Sequence, residues 1–226
     1  MLAHFVCTVI KKVFSYTKVC CSVNISEHNM RDFNTFCAKL SGALIFSSGV
    51  IFLLLTTVSE AIYPGYSIRN NALSDLGAIG SPTQILWDSQ LFAVAALSMA
   101  GMVLFFFFSN SLSIRNRRFV GVLFTTPGIG SLIVSMVPEN LNIVIHTFGA
   151  FVNFLFGAIS AIYAIRFIRG WFRFFSIFLG LITLFFTTLL VNPPFIGFGG
   201  IERMVVYPIV LWNLGFGSYL MSLDRM

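Results

Sequence analysis

Hydrophobic residues along this chain come in long unbroken runs separated by polar stretches. Six runs, at residues 40–62, 85–109, 119–137, 143–167, 171–191 and 204–221, are each long enough to cross a bilayer as helix, since ~30 Å of hydrocarbon takes roughly 20 helical residues. The runs are continuous rather than alternating in polarity, which predicts helices and not a barrel. The expected fold is all-α: a polytopic membrane protein built as a six-transmembrane-helix bundle with a long outer loop between helices 1 and 2. Residues 1–39 read as a cytoplasmic or interfacial amino-terminal segment, 40–222 as the transmembrane domain and 223–226 as a cytoplasmic tail.

The polar interruptions are uneven. The first run ends in Thr56, Thr57, Ser59 and Glu60, with Thr56 and Glu60 on one helical face. Pro64-Gly65 breaks it, and residues 63–84 then form a connection far longer than the about 2–8 residues a bundle needs. Within it residues 70–76 read as a short helical piece ending at Gly77, placed to lie across the bundle mouth as a lid. Ser81-Pro82-Thr83-Gln84 has the pattern of a capping box, so the second helix should start near Pro82, with Gln84 and Asp88 on one face. Four phenylalanines at residues 105–108 end it at the inner interface. Pro127 should kink the third helix, with Thr125 and Thr126 satisfying freed carbonyls. The fifth run is Phe- and Leu-rich, a lipid-facing wall ending at Asn192-Pro193-Pro194. Glu202 should occupy the first turn of the sixth helix, Pro208 should kink that helix, and Gly215 and Gly217 should permit close packing.

The fourth run carries a polar stripe. Asn142, His146, Gly149, Asn153, Gly157 and Ser160 fall within about 80° of arc at ~100° per residue. This face should point inward, its lower half packing through glycine and its upper half presenting amides and an imidazole.

Charge adds an orientation. The net charge is +6. Every Lys and Arg except Arg69 and Arg203 falls on the side that holds both termini, so both termini should be cytoplasmic in a plasma-membrane protein. Basic residues that alternate with membrane crossings do not make a nucleic-acid surface. The acids Glu60, Asp75, Asp88, Glu139 and Glu202 cluster at the outer ends instead, a bias that insertion does not require. Cys7, Cys20, Cys21 and Cys37 precede the first run, face a reducing side and read as plain thiols. Residues 1–29 fit an interfacial amphipathic helix, or a stretch ahead of a chain that starts at Met30.

An ionisable side chain in mid-membrane costs roughly 2.5–3.5 kcal/mol on insertion scales, so Glu60, Asp88 and His146, each a turn or two inside the outer boundary, ask for a reason. The motifs Glu60…Tyr63-Pro64-Gly65-Tyr66, Asn71…Ser74-Asp75-Leu76-Gly77, His146 and Gly200…Glu202-Arg203…Tyr207-Pro208 together resemble the domain-of-unknown-function 998 family over roughly residues 40–222. That resemblance implies a six-span membrane protein of an archaeal and bacterial family with recurring polar positions, and it assigns no reaction.

The residues themselves suggest an outward-facing polar pocket rich in carboxylates. In an enzyme acting on a lipid or another outer-leaflet substrate, His146 would be the base, Asp75 or Glu60 its orienter or acid, and Ser74 a nucleophile. Asn71, Asp88, Asn142, Asn153, Glu202, Arg203, Tyr63 and Tyr207 would line the ligand site. No metal site and no cofactor are called for. A carrier or receptor for a small molecule or cation fits the carboxylates and tyrosines as well, and a scaffold subunit fits a polar network that merely holds helices together. Each residue also has a plain structural reading: His146 as a donor to a carbonyl, Ser74 and Asp75 as turn residues, and Glu60 with Arg203 or Arg69 as an ion pair between helices 1 and 6.

Overall fold

The computed structural model describes residues 27–110, 112–191 and 195–223. These residues are all helix, turn and loop. Helix α1 spans Glu27–Ile62, α2 Gln84–Val103, α3 Arg117–Met136, α4 Ile143–Tyr163, α5 Phe172–Leu189 and α6 Gly197–Met221. Within the described residues all six are long and apolar enough to cross a membrane. Each helix packs on its sequence neighbours, and α6 closes the ring on α1. The molecule is an all-α, multi-pass membrane bundle.

Helix α1 begins well before residue 40. Its first turns are amphipathic, with Cys37 and Ala38 buried while Lys39 is exposed, so hydropathy drops at the charges although the backbone helix continues through them. Cys37 is a free, buried thiol; Cys7, Cys20 and Cys21, the proposed amphipathic segment and Asn192-Pro193-Pro194 lie outside the described residues. Helix α6 likewise starts earlier than its apolar run, at Gly197, which moves Glu202 beyond the first turn. The helix-dipole role expected for Glu202 therefore lapses, because that effect dies away within a turn.

The capping box of α2 does not form as expected. Ser81 Oγ accepts from the Thr83 amide at 3.2 Å, two residues on rather than three, and Gln84 Oε1 accepts from Gly80 N at 3.2 Å instead of from the Ser81 amide. Ser81 is drawn aside because its hydroxyl donates to the Leu76 carbonyl at 2.9 Å, as does Thr83 Oγ1 at 2.7 Å. The start of α2 thus holds the end of the preceding turn.

At its other end α2 widens into a π-turn over Leu104–Phe108. Only half of the phenylalanine run meets the surface: Phe107 and Phe108 are exposed, whereas Phe105 and Phe106 are buried. The buried pair joins Phe124, Phe167, Trp212 and Phe216 in an aromatic layer, with Trp212 and Phe216 stacked at 4.8 Å. Arg117 closes this end by donating to the carbonyls of Phe105, Phe106 and Leu112 at 2.7, 3.0 and 2.8 Å, satisfying groups the helix terminus leaves open.

Pro127 sits inside α3 and has no N–H to offer the Leu123 carbonyl. The threonines do not fill that gap, since Thr125 and Thr126 donate to Gly121 and Val122. Ser160 of α4 does, at 3.4 Å, and Asn153 donates to the Pro127 carbonyl at 3.3 Å and to Ser131 Oγ. The inward stripe of α4 is real, with His146, Gly149, Gly157 and Ser160 buried, and much of it serves the broken backbone of its neighbour. Asn142 departs from it: exposed, it caps α4 by accepting from the Ile145 amide at 3.1 Å.

Candidate functional site

The connection between α1 and α2 is built from short-range hydrogen bonds. Asn71 Oδ1 accepts from the Ser67 amide at 3.0 Å, and Asp75 Oδ2 accepts from Asn71 Nδ2 at 2.8 Å and from the Ala72 amide at 3.0 Å. A 3-10 turn, Ser74–Gly77, follows with Leu73 and Leu76 almost fully buried. This turn, shorter than the helical piece expected, lies over one end of the bundle. Ahead of the turn the connection docks on α6 through Gly199, whose amide donates to the Arg69 carbonyl at 3.2 Å. A Cβ on Gly199 would stand 2.0 Å from the Asn71 carbonyl oxygen, so only glycine admits the connection this close.

Arg203 fastens the two together. Only 5% exposed, its guanidinium donates to Glu60 Oε1 from Nη2 at 2.6 Å and from Nε at 3.1 Å. Nη1 reaches the carbonyls of Gly199, Ile68 and Asn71 at 2.7, 3.2 and 3.3 Å. Nη2 also donates to the Tyr66 hydroxyl at 2.7 Å, which in turn donates to the Ala72 carbonyl at 2.7 Å. Burial pushes the Tyr66 phenol well above its ordinary range, against the pull of Arg203, so it keeps the proton it donates. Of the two arginines considered for Glu60, Arg203 is the one that binds it, while Arg69 is exposed. This guanidinium is saturated with protein acceptors and ties α1, the connection and α6 into one unit. Tyr63 and Tyr207 pack into the apolar cluster around this clamp.

The remaining polar residues gather beside it. Ser74 Oγ donates to Glu139 Oε2 at 2.6 Å. Glu202 Oε2 accepts from the Leu73 amide at 2.5 Å. His146, 7% exposed, has Nδ1 at 2.8 Å from the Val137 carbonyl. A carbonyl only accepts, so Nδ1 carries a proton, and in the neutral ring Nε2 keeps its lone pair. The serine's hydroxyl is thus directed to Glu139 and the histidine's orienting partner is a backbone carbonyl, with Asp75 engaged by Asn71 and Glu60 by Arg203. Asp88 stands half-buried near Gly77, where a Cβ would lie 2.8 Å from its Oδ1, and within electrostatic reach of His146. Glu139 was legible only as an acid in a helix-stop sequence, Pro138-Glu139-Asn140. Nothing local marks it as the partner of a serine 65 positions away.

Glu139 has a raised pKa. Burial is the main cause and the neighbouring Asp75 adds to it, while the Ser74 hydrogen bond and His146 oppose it. A carboxyl whose pKa is higher in the folded than the unfolded state holds its proton more tightly when folded. Its contribution to stability is full below the ordinary carboxylate range and is lost as pH rises through the elevated value. Melting temperatures across a pH series should therefore fall over that window in the parent protein, and Glu139→Gln should flatten the fall.

Below this polar cluster lies a cavity of about 110 Å³. Ser74, His146 and Glu202 line its upper end, and Phe124, Trp212 and Asn213 its lower end. From His146 to Ser160 along α4 its wall runs roughly 20 Å, at ~1.5 Å per residue. Leu91 and Val94 of α2 and Val206 and Val210 of α6 make much of the wall, and α5 contributes nothing to it. Several polar groups along the shaft are already spent: Thr125 and Ser160 on α3 carbonyls, Ser98 on the Ala95 carbonyl and Asn153 on Pro127 and Ser131. The floor is the aromatic layer, with Trp212 held by its indole N–H on Ser176 Oγ at 2.6 Å. Of the carboxylates at this end only Glu202 lines the cavity; Asn71, Asp88, Tyr63 and Tyr207 stand outside it. Among the described residues no three His, Cys, Asp or Glu side chains converge to hold a metal ion.

Fold and site together define a multi-pass helical membrane protein whose ring of helices is sealed at one end by aromatics and finished at the other by a polar cluster. Residues 47–219 match the family described as "Protein of unknown function (DUF998)", and the chain belongs to that family. No curated protein and no solved structure matches the chain.

Proposed function

We propose that this protein takes the chain of a membrane amphiphile into its bundle and holds the polar head at the Ser74–His146–Glu202 end. The observation that carries this reading is the cavity itself: a narrow, mostly apolar shaft with Ser74, His146 and Glu202 at one end and Asn213 beside its aromatic floor. Ligand pockets have this composition, apolar walls with a few placed polar groups. The aromatic floor argues against a path through the bundle. Apart from Arg69 and Arg203, the basic residues fall by sequence on the side opposite the mouth, which supports a mouth that faces outward and cytoplasmic termini in a plasma membrane. Residues 40–222 act as the working unit, with 1–39 and 223–226 on the cytoplasmic side.

Native mass spectrometry of protein extracted into nanodiscs tests the binding reading: a bound amphiphile is expected on the parent and lost from Ala150→Phe, which fills the shaft. Parent protein that carries and accepts no amphiphile would overturn the proposal.

One contact favours a second reading, a hydrolase or transferase acting on the bound lipid. The 2.6 Å hydrogen bond from Ser74 to Glu139 gives the hydroxyl a carboxylate to receive its proton, beside the free Nε2 of His146. On this reading Ser74→Ala and His146→Gln each lower turnover by 10²-fold or more, an order of magnitude set by general-base catalysis, while both variants stay folded and keep the amphiphile. Loss of folding in His146→Gln would instead give its hydrogen bond to Val137 a structural role. Uptake of solute by proteoliposomes would favour a carrier.

A further inference from the structure

From the hydrogen-bonding character of the mouth, we infer that the amphiphile bound here is an amine, with an ammonium head group and an alkyl chain in the shaft. The inference rests on the binding reading above and adds the chemistry of the head.

Two groups at the cavity's upper end, His146 and Glu202, offer acceptors. His146 is 7% exposed and lines the cavity, with Nδ1–H spent on the Val137 carbonyl and no partner for Nε2 among the described residues. In the neutral ring this nitrogen is an acceptor without a protein donor. Glu202 lines the same end and is an acceptor when ionised. The donors nearby are committed: the Ser74 hydroxyl to Glu139, the Leu73 amide to Glu202, and all the guanidinium nitrogens of Arg203 to Glu60, Tyr66 and three carbonyls. A phosphate, sulfate or carboxylate head would find only the indole N–H of Trp87 uncommitted beside these donors. An ammonium brings three donors and no acceptor.

Charge points the same way. Glu202, Glu139 and Asp75 lie within electrostatic reach of one another, and Glu60 already takes up the charge of Arg203. Among the described residues no Lys or Arg lines the cavity. Arg203, the cation within electrostatic reach of Glu202, stands outside the cavity and is bound to Glu60. Trp87, whose indole edge lies against Gly77, walls the cavity as well and offers the aromatic surface that cations favour.

The test uses full-length protein in phosphatidylcholine nanodiscs and three probes with the same chain: dodecylammonium, dodecanol and dodecyl sulfate. Thermal melting at graded concentrations gives an apparent affinity for each. Dodecylammonium is expected to bind at least tenfold tighter than either of the others. Glu202→Gln should reduce that preference to threefold or less while leaving the dodecanol response in place. Ala150→Phe should abolish the response to all three. Equal responses to the amine and the alcohol, or a stronger response to the sulfate, would overturn the head-group inference and leave the binding pocket standing. An amine response that survives Ala150→Phe would mean binding elsewhere and would overturn it too. No response to any probe would sink the binding reading itself.

Discussion

Replacing Arg203 by methionine is expected to destabilise the bundle by about 3–5 kcal/mol, the range for removing one partner of a buried ion pair. The side chains are only 6% and 16% exposed for Arg203 and Glu60, so water cannot take over the lost contacts. The change strands the Glu60 carboxylate together with the carbonyls of Gly199, Ile68 and Asn71. Glu60→Gln should cost less, because the amide oxygen can still accept from the guanidinium. The double variant Glu60→Met with Arg203→Met should recover part of the loss, since an apolar pair of similar volume replaces buried charges at little net cost. Denaturant titration in mixed micelles measures all three. If Arg203→Met unfolds at the parent midpoint, the clamp is an ornament of the surface and α6 is held to the connection by packing alone.

The second large effect is expected where the ring closes. A Cβ on Gly217 would stand 2.6 Å from the Gly42 carbonyl oxygen and 2.7 Å from the Phe46 amide, and a Cβ on Gly42 would stand 2.5 Å from the Gly217 carbonyl. All three contacts are with backbone, so no rotamer change relieves them. Gly217→Ala should cost about 1–3 kcal/mol, the usual cost of overpacking, and Gly217→Leu should part α1 from α6. Cysteines introduced across this seam should cross-link in the parent background and fail to do so in the leucine variant. Gly200→Ala is the control: its nearest neighbour is the Ile196 side chain at 3.3 Å, which can shift, and the seam should stay closed. Retained cross-linking in Gly217→Leu would show that α1 and α6 do not depend on this approach.

Both predictions concern features only half-visible along the chain. Glu60 and Arg203 stood out as charges at the edge of lipid, and their pairing was one of two options for Glu60. The choice between Arg203 and Arg69 turned on Gly197 and Gly199, which let the connection settle on α6 and leave Arg69 outside. Gly217 was legible as a packing residue, but its partner Gly42 was not, because 175 positions separate them with no shared pattern. The α4 stripe could be read from spacing, yet Ser160 and Asn153 acquired their duties from Pro127 on another helix. Glu139 was overlooked as a site residue for the same reason: its meaning comes from Ser74, brought over it by a turn that the chain forms elsewhere.

By itself the sequence determined that this is an all-α membrane protein with six apolar runs of spanning length and with five of its eight acids near one set of their ends. Those properties are sums over contiguous residues: hydrocarbon thickness sets a length, and each apolar run either reaches it or does not. Which acid meets which partner was decided only by the tertiary structure, as was the shaft between the aromatic floor and the polar mouth. Such pairings depend on the rotation of each helix about its own axis and on the separation of neighbouring backbones. These quantities are fixed jointly by glycine contacts and hydrogen bonds across the ring, and no single run of the chain carries them.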